Sequence, residues 1–116
     1  MVLTLGHFLQ VFRKTYRTSN IADLGVTIKL HGGLLKNRMT YSDADLLIYE
    51  TRPLVHSEAE RVADFVRALK NKLGYQIEEN WNMMTYGPTL TLVDHGQLAN
   101  HVLPFVNLSY IGEKSG

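Results

Sequence analysis

The 116-residue chain contains no cysteine, which rules out a disulfide framework and a thiolate metal site. That absence fits a protein that folds in a reducing compartment. No apolar run approaches the roughly 20 residues needed to span a bilayer, so no membrane partner is expected. Charge of one sign is also missing: twelve Lys and Arg face eleven Asp and Glu, a formal net charge of +1. Nucleic-acid-binding domains usually carry a strong basic excess, so no specific nucleic acid is expected as a partner. Internal repeats, linkers and low-complexity tracts do not occur. The opening segment MVLTLGHFLQVFRK is apolar first and basic afterwards, the reverse of a secretory signal, and reads as part of the fold.

What is present suits one ordered domain covering 1–116, with residues 112–116 as a frayed tail. A hydrophobic fraction of 45% and a charged fraction of 20% are ordinary globular values and argue against disorder. A chain this long buries roughly two-thirds of its unfolded surface, enough for a core without staples.

Leu5, Phe8, Leu9, Phe12 and Tyr16 fall on one helical face, with Thr4 as N-cap and Thr18, Ser19 and Asn20 as the stop. Val26, Ile28 and Leu30 then alternate with Thr27, Lys29 and His31, the period of a half-buried strand that Gly32 and Gly33 break. Residues 33–42, GLLKNRMTYS, fit either a short strand or a projecting loop carrying Lys36 and Arg38. Residues 45–50, DLLIYE, read as a central strand covered on both faces, closed by Arg52 and Pro53.

A second helix follows, with Ser57 and Glu60 as a capping box and Val62, Phe65, Val66, Leu69 and Leu73 as its apolar stripe. Gly74 supplies its left-handed stop. Basic residues gather at the predicted C-termini of both helices: Arg13, Lys14 and Arg17 in the first, Lys70 and Lys72 in the second. There they complement the helix dipole.

Tyr75, Ile77, Trp81 and Met83 share one parity of a long strand, interrupted only by Glu79, and Gln76, Glu78, Asn80 and Asn82 share the other. Leu90 and Leu92 mark a further strand, and Asp94, His95 and Gly96 a turn. Val106, Leu108 and Tyr110 mark the last strand, with Pro104 placing its start at a sheet edge. The expected fold is therefore α+β, in the order α-β-(β)-β-α-β-β-β: one antiparallel or mixed sheet of about five strands with two helices packed on it.

No catalytic centre emerges. The five histidines show no HxxxH, HExxH or HxH spacing, although His95 and His101 lie in one turn-rich stretch beside Asp94. Asp43 and Asp45 share a strand face with nothing to bring another acid near. There is no GxSxG elbow, and Gly32-Gly33 is too short for a phosphate cradle. Arg52 alone is a weak anion clamp. No cofactor and no metal are expected, and the chain reads as a binding or assembly protein. Met84 and Tyr86 lie on the strand parity opposite Trp81 and Met83, and with Lys36 and Arg38 they are the candidate interface residues.

The run DADLLIYETRP, the connection LVHS, the helix EAERVADFVRALKNKLG and the closing LPFVNLSYIGE together resemble the tail terminator proteins of long-tailed bacteriophages. The resemblance covers residues 44–111. It implies a structural virion protein: a homo-oligomeric, hexameric ring that caps the tail tube and meets the head connector or stopper protein. Such a protein would be made in the host cytoplasm and reside at the head-proximal end of the tail. Two other readings stay open: an inhibitor or regulator that binds a host or phage protein, and a small enzyme using His31, His95 or His101.

Overall fold

The computed structural model describes residues 2–41, 43–80, 88–95 and 105–110, with backbone alone at 43, 75–80 and 105–110. Helix α1 (Leu5–Ser19) follows a two-residue strand, β1 (Leu3–Thr4). The Thr4 hydroxyl accepts from the His7 N–H at 3.2 Å, and Asn20, at φ 56°, ends the helix. Phe8 and Phe12 of the expected stripe are buried. Thr15 is buried with them because its hydroxyl donates back to the Val11 carbonyl at 2.8 Å, which removes its polar cost. A 3-10 turn (Ala22–Leu24) leads into β2 (Thr27–His31).

Residues 33–42 differ from both sequence-based alternatives. They form a short helix, α2 (Gly33–Asn37), and then a two-residue strand, β3 (Met39–Thr40). Gly32 sits at φ 81°, where a Cβ would stand 2.2 Å from the Asp45 carboxylate, so only glycine turns the chain out of β2 here. Leu34 is fully buried and anchors α2 on the core. Arg38, at φ 60°, ends α2 in the left-handed conformation and redirects the chain toward β1.

Strand β4 (Asp43–Tyr49) is central, as its composition suggested: Leu46, Leu47 and Ile48 are buried in succession, which needs cover on both faces. Helix α3 (His56–Leu73) buries Val62, Phe65, Val66 and Leu69. Gly74, at φ 74°, closes it, its N–H donating to the Lys70 carbonyl at 2.7 Å. The expected Ser57–Glu60 capping box is not formed. The helix begins at His56 after Val55, and the Glu58 carboxylate accepts from the Val55 N–H at 3.1 Å.

Strands β5 (Tyr75–Asn80), β6 (Leu90–Val93) and β7 (Phe105–Tyr110) complete the described elements. The fold class, mixed α+β with antiparallel strands and helices, is as expected. The single sheet and the count of two helices are corrected: the strands fall into two separate antiparallel sheets, and α2 is a third helix. In one sheet β1 pairs β3, with Leu3 opposite Thr40 and Thr4 opposite Met39. The other is built around the triplet β6-β2-β4, where Ile28 faces Ile48 and Leu30 faces Leu46, and its ladder continues from β4 through β7 to β5. Strand β7 is thus interior rather than at an edge. A proline one residue before a strand removes a donor outside the ladder and does not confine the strand to an edge; Pro104 itself lies outside the described residues.

The helices α1 and α3 run antiparallel, with Phe12 opposite Phe65 and the Asn20 carbonyl meeting the Arg61 guanidinium. The Phe12 and Phe65 rings meet edge to face at 5.6 Å between centroids, and Tyr16 meets Phe65 in the same way at 6.0 Å. This aromatic seam joins Ile28, Leu30, Leu46 and Ile48 in one core cluster. Truncating the seam is expected to be costly: Phe65→Ala lowers stability by about 3–5 kcal/mol, read as a shift of the urea midpoint at unchanged slope.

Candidate functional site

Lys36 and Arg38 are both solvent-exposed, in α2 and at its left-handed C-cap. They are not on a projecting loop. Their backbone is held by the Lys36 N–H donating to the Gly32 carbonyl at 3.0 Å and by the Arg38 carbonyl accepting from the Leu5 N–H at 2.9 Å. The second bond ties the start of α1 to the end of α2 and sets the β1–β3 ribbon between them.

Alternation along that ribbon decides what it shows to water. Leu3 and Thr40 face inward and are buried. Met39 and Tyr41 therefore point outward, as Val2 does. Tyr41 is 71% exposed, and Met39 and Val2 are each 37% exposed. Met39 on the ribbon, with Tyr41 two residues after it and Arg38 directly before it, gives a methionine, a tyrosine and an arginine, residue types enriched at protein interface cores, and Lys36 lies two residues upstream of Arg38. Sequence reasoning named the two cations but missed Val2, Met39 and Tyr41. The signal was the alternation Met-Thr-Tyr directly after Arg38, which becomes readable only once Thr40 is known to face in. Met84 and Tyr86, the other two interface candidates, lie outside the described residues.

The remaining candidates stay apart. His31 lies in β2 opposite Asp45 of β4. The His95 ring Nε2 is 3.3 Å from the Tyr16 hydroxyl, and the His95 backbone N–H donates to the Thr27 hydroxyl at 3.0 Å. His56 is an exposed partner of Glu60 at 3.5 Å, His7 is exposed on α1, and His101 lies outside the described residues. Among the described residues no three His, Asp or Glu side chains converge where an ion could sit. Asp43 and Asp45 occupy alternate positions of β4, opposite Ser109 and Asn107 of β7.

Arg52 is already engaged by Glu58 and does not stand free to clamp an anion. Its two terminal nitrogens donate to both Glu58 oxygens at 3.0 and 2.6 Å. This fork, with the Val55 N–H, explains why Glu58 rather than Glu60 fixes the start of α3. The Arg52 hydrogen bonds, then the Val55 N–H, pull the Glu58 pKa from its usual 4.5 down to about 2. Asp23 is held below the usual carboxylate range by its hydrogen bonds from Arg61.

No family model, curated protein or solved structure matches this chain.

Because the folded-state pKa of Glu58 lies below its ordinary value, its stabilisation is fully present above about pH 4.5. It is lost as pH falls from there through about 2. A Glu58→Gln variant is therefore expected to melt below the wild type at pH 6, with the gap closing between pH 4.5 and 2. Thermal unfolding across that range checks it.

Proposed function

We propose that this chain is a structural virion assembly protein: a subunit of a ring that terminates a phage tail tube and joins it to the head connector. Two things support the reading. One is the resemblance of residues 44–111 to tail terminators. The other, which carries it, is the outward group of Tyr41, Met39 and Val2 beside Lys36 and Arg38. Exposed apolar and aromatic side chains at one place mark a contact with another polypeptide.

The mechanism on this reading is steric. A ring seated on the terminal face of the tube occupies the site at which the next tube ring would add, and growth stops. A ring needs a head-to-tail contact that closes, so each subunit presents two different faces. The ribbon serves as one joining surface, its aromatic and methionine side chains desolvated in the contact and its cations steering the approach. Met84 and Tyr86, which lie outside the described residues, are further interface candidates on the sequence alternation alone. The partners are then further copies of the chain, the tube protein and the head connector, and the site of residence is the virion tail.

Size-exclusion chromatography with light scattering tests the reading. A ring-sized species, alone or after addition of tube protein, is the expected outcome. Tyr41→Ala is expected to weaken assembly about thirtyfold, from a loss of about 2 kcal/mol. Charge reversal at Lys36 and Arg38 slows joining of ring to tube. Unchanged assembly in both variants contradicts the proposal, and a stable dimer indifferent to tube protein favours a regulator.

A further inference from the structure

The cations of α1 are not explained by the helix dipole alone. The helix runs on to Ser19, so only Arg17 stands in its last turn, and Arg13 and Lys14 lie a turn earlier, where the dipole effect has faded. All three are exposed. The helix contains no acid, so none has an i,i+4 partner on its own element. Three of the other arginines are tied: Arg52 to Glu58, Arg61 to Asp23 and Arg67 to Asp64. Among the described residues, no ion pair includes Arg13, Lys14 or Arg17.

The near-zero net charge conceals a strong asymmetry. Residues 1–42 carry six Lys and Arg and a single acid, Asp23, which Arg61 already neutralises. Residues 43–116 carry six against ten.

We infer that the outward face of α1 binds the sugar–phosphate backbone of nucleic acid, without reading base sequence. The exposed side chains are His7, Gln10, Arg13, Lys14, Arg17 and Thr18, with no large apolar group among them. Phosphate contacts are made by such cationic and hydrogen-bonding side chains. A polypeptide partner needs an apolar or aromatic centre, and that chemistry sits on the β1–β3 ribbon instead. A lipid surface is disfavoured because the apolar stripe of α1, Phe8 and Phe12, is locked in the core. Three cations within five residues span about 6 Å of helix. That density approaches the one charge per about 1.7 Å of duplex axis. The inference stands independently of the ring reading.

Fluorescence anisotropy of the purified chain with a labelled 20-base-pair duplex tests it. Three phosphate contacts give a slope of log K against log salt of about −2.7, an affinity loss of about fortyfold between 50 and 200 mM KCl. A triple variant, R13Q/K14Q/R17Q, is expected to lose at least tenfold in affinity at 50 mM with an unchanged circular dichroism spectrum. Lys14→Gln alone reduces the slope by about 0.9, which keeps the test open if the triple variant misfolds. A K36Q/R38Q variant retains binding. Absence of duplex binding, full binding by the triple variant, or loss of binding in K36Q/R38Q overturns the inference. So does binding of labelled polyglutamate through the same three residues without binding of duplex, which reassigns the face to an acidic protein.

Discussion

The edge-to-face contact of Phe12 with Phe65 is the constraint on which the described structure rests. It fixes α1 antiparallel to α3 and presses both onto the β2–β4 rows of Ile28, Leu30, Leu46 and Ile48. With α1 held, its first residue, Leu5, presents a free N–H at a fixed place, and the Arg38 carbonyl takes it. That bond brings β3 alongside β1, and two-residue alternation then sends Thr40 inward and Tyr41 into water. The exposed patch is thus a consequence of core packing several steps away. Its side chains are not held by the core, but the backbone that presents them is.

Legibility in the sequence followed the length of the repeating signal. The stripes of α1 and α3 run for three turns or more: Phe8, Phe12, Val62, Phe65, Val66 and Leu69 are buried and the stops fall at Asn20 and Gly74 as the pattern implied, while buried Thr15 lies off the expected stripe. The alternation of β2 and the unbroken apolar run of β4 were equally plain. Residues 33–42 were not, because a five-residue helix gives no readable period, and its end depends on a left-handed arginine rather than a glycine. The start of α3 was misread for a different reason. Both Glu58 and Glu60 suit a helix N-terminus, and the choice is made by Arg52, six residues upstream of Glu58 in the preceding turn. A local pattern does not contain that information.

Charge alone pointed to Lys36 and Arg38, and they are exposed. The apolar part of the patch was hidden because Tyr41 and Met39 owe their exposure to pairing with a strand at the other end of the first 40 residues. The same non-local logic separates the two proposed contact surfaces. The ribbon mixes aromatic, thioether and cationic groups, whereas the outward face of α1 offers cations and hydrogen-bonding groups only. One suits desolvated contact with a polypeptide, the other solvated contact with a polyanion.

The central claim is that the ribbon side chains become buried against another polypeptide when the chain assembles. Hydroxyl-radical footprinting of the free chain and of the chain assembled with tube protein tests it most directly. Met39 and Tyr41 are predicted to react readily when free and to be protected on assembly, while α1 residues such as Gln10 keep their reactivity. Equal oxidation of Met39 and Tyr41 in both states would contradict the account.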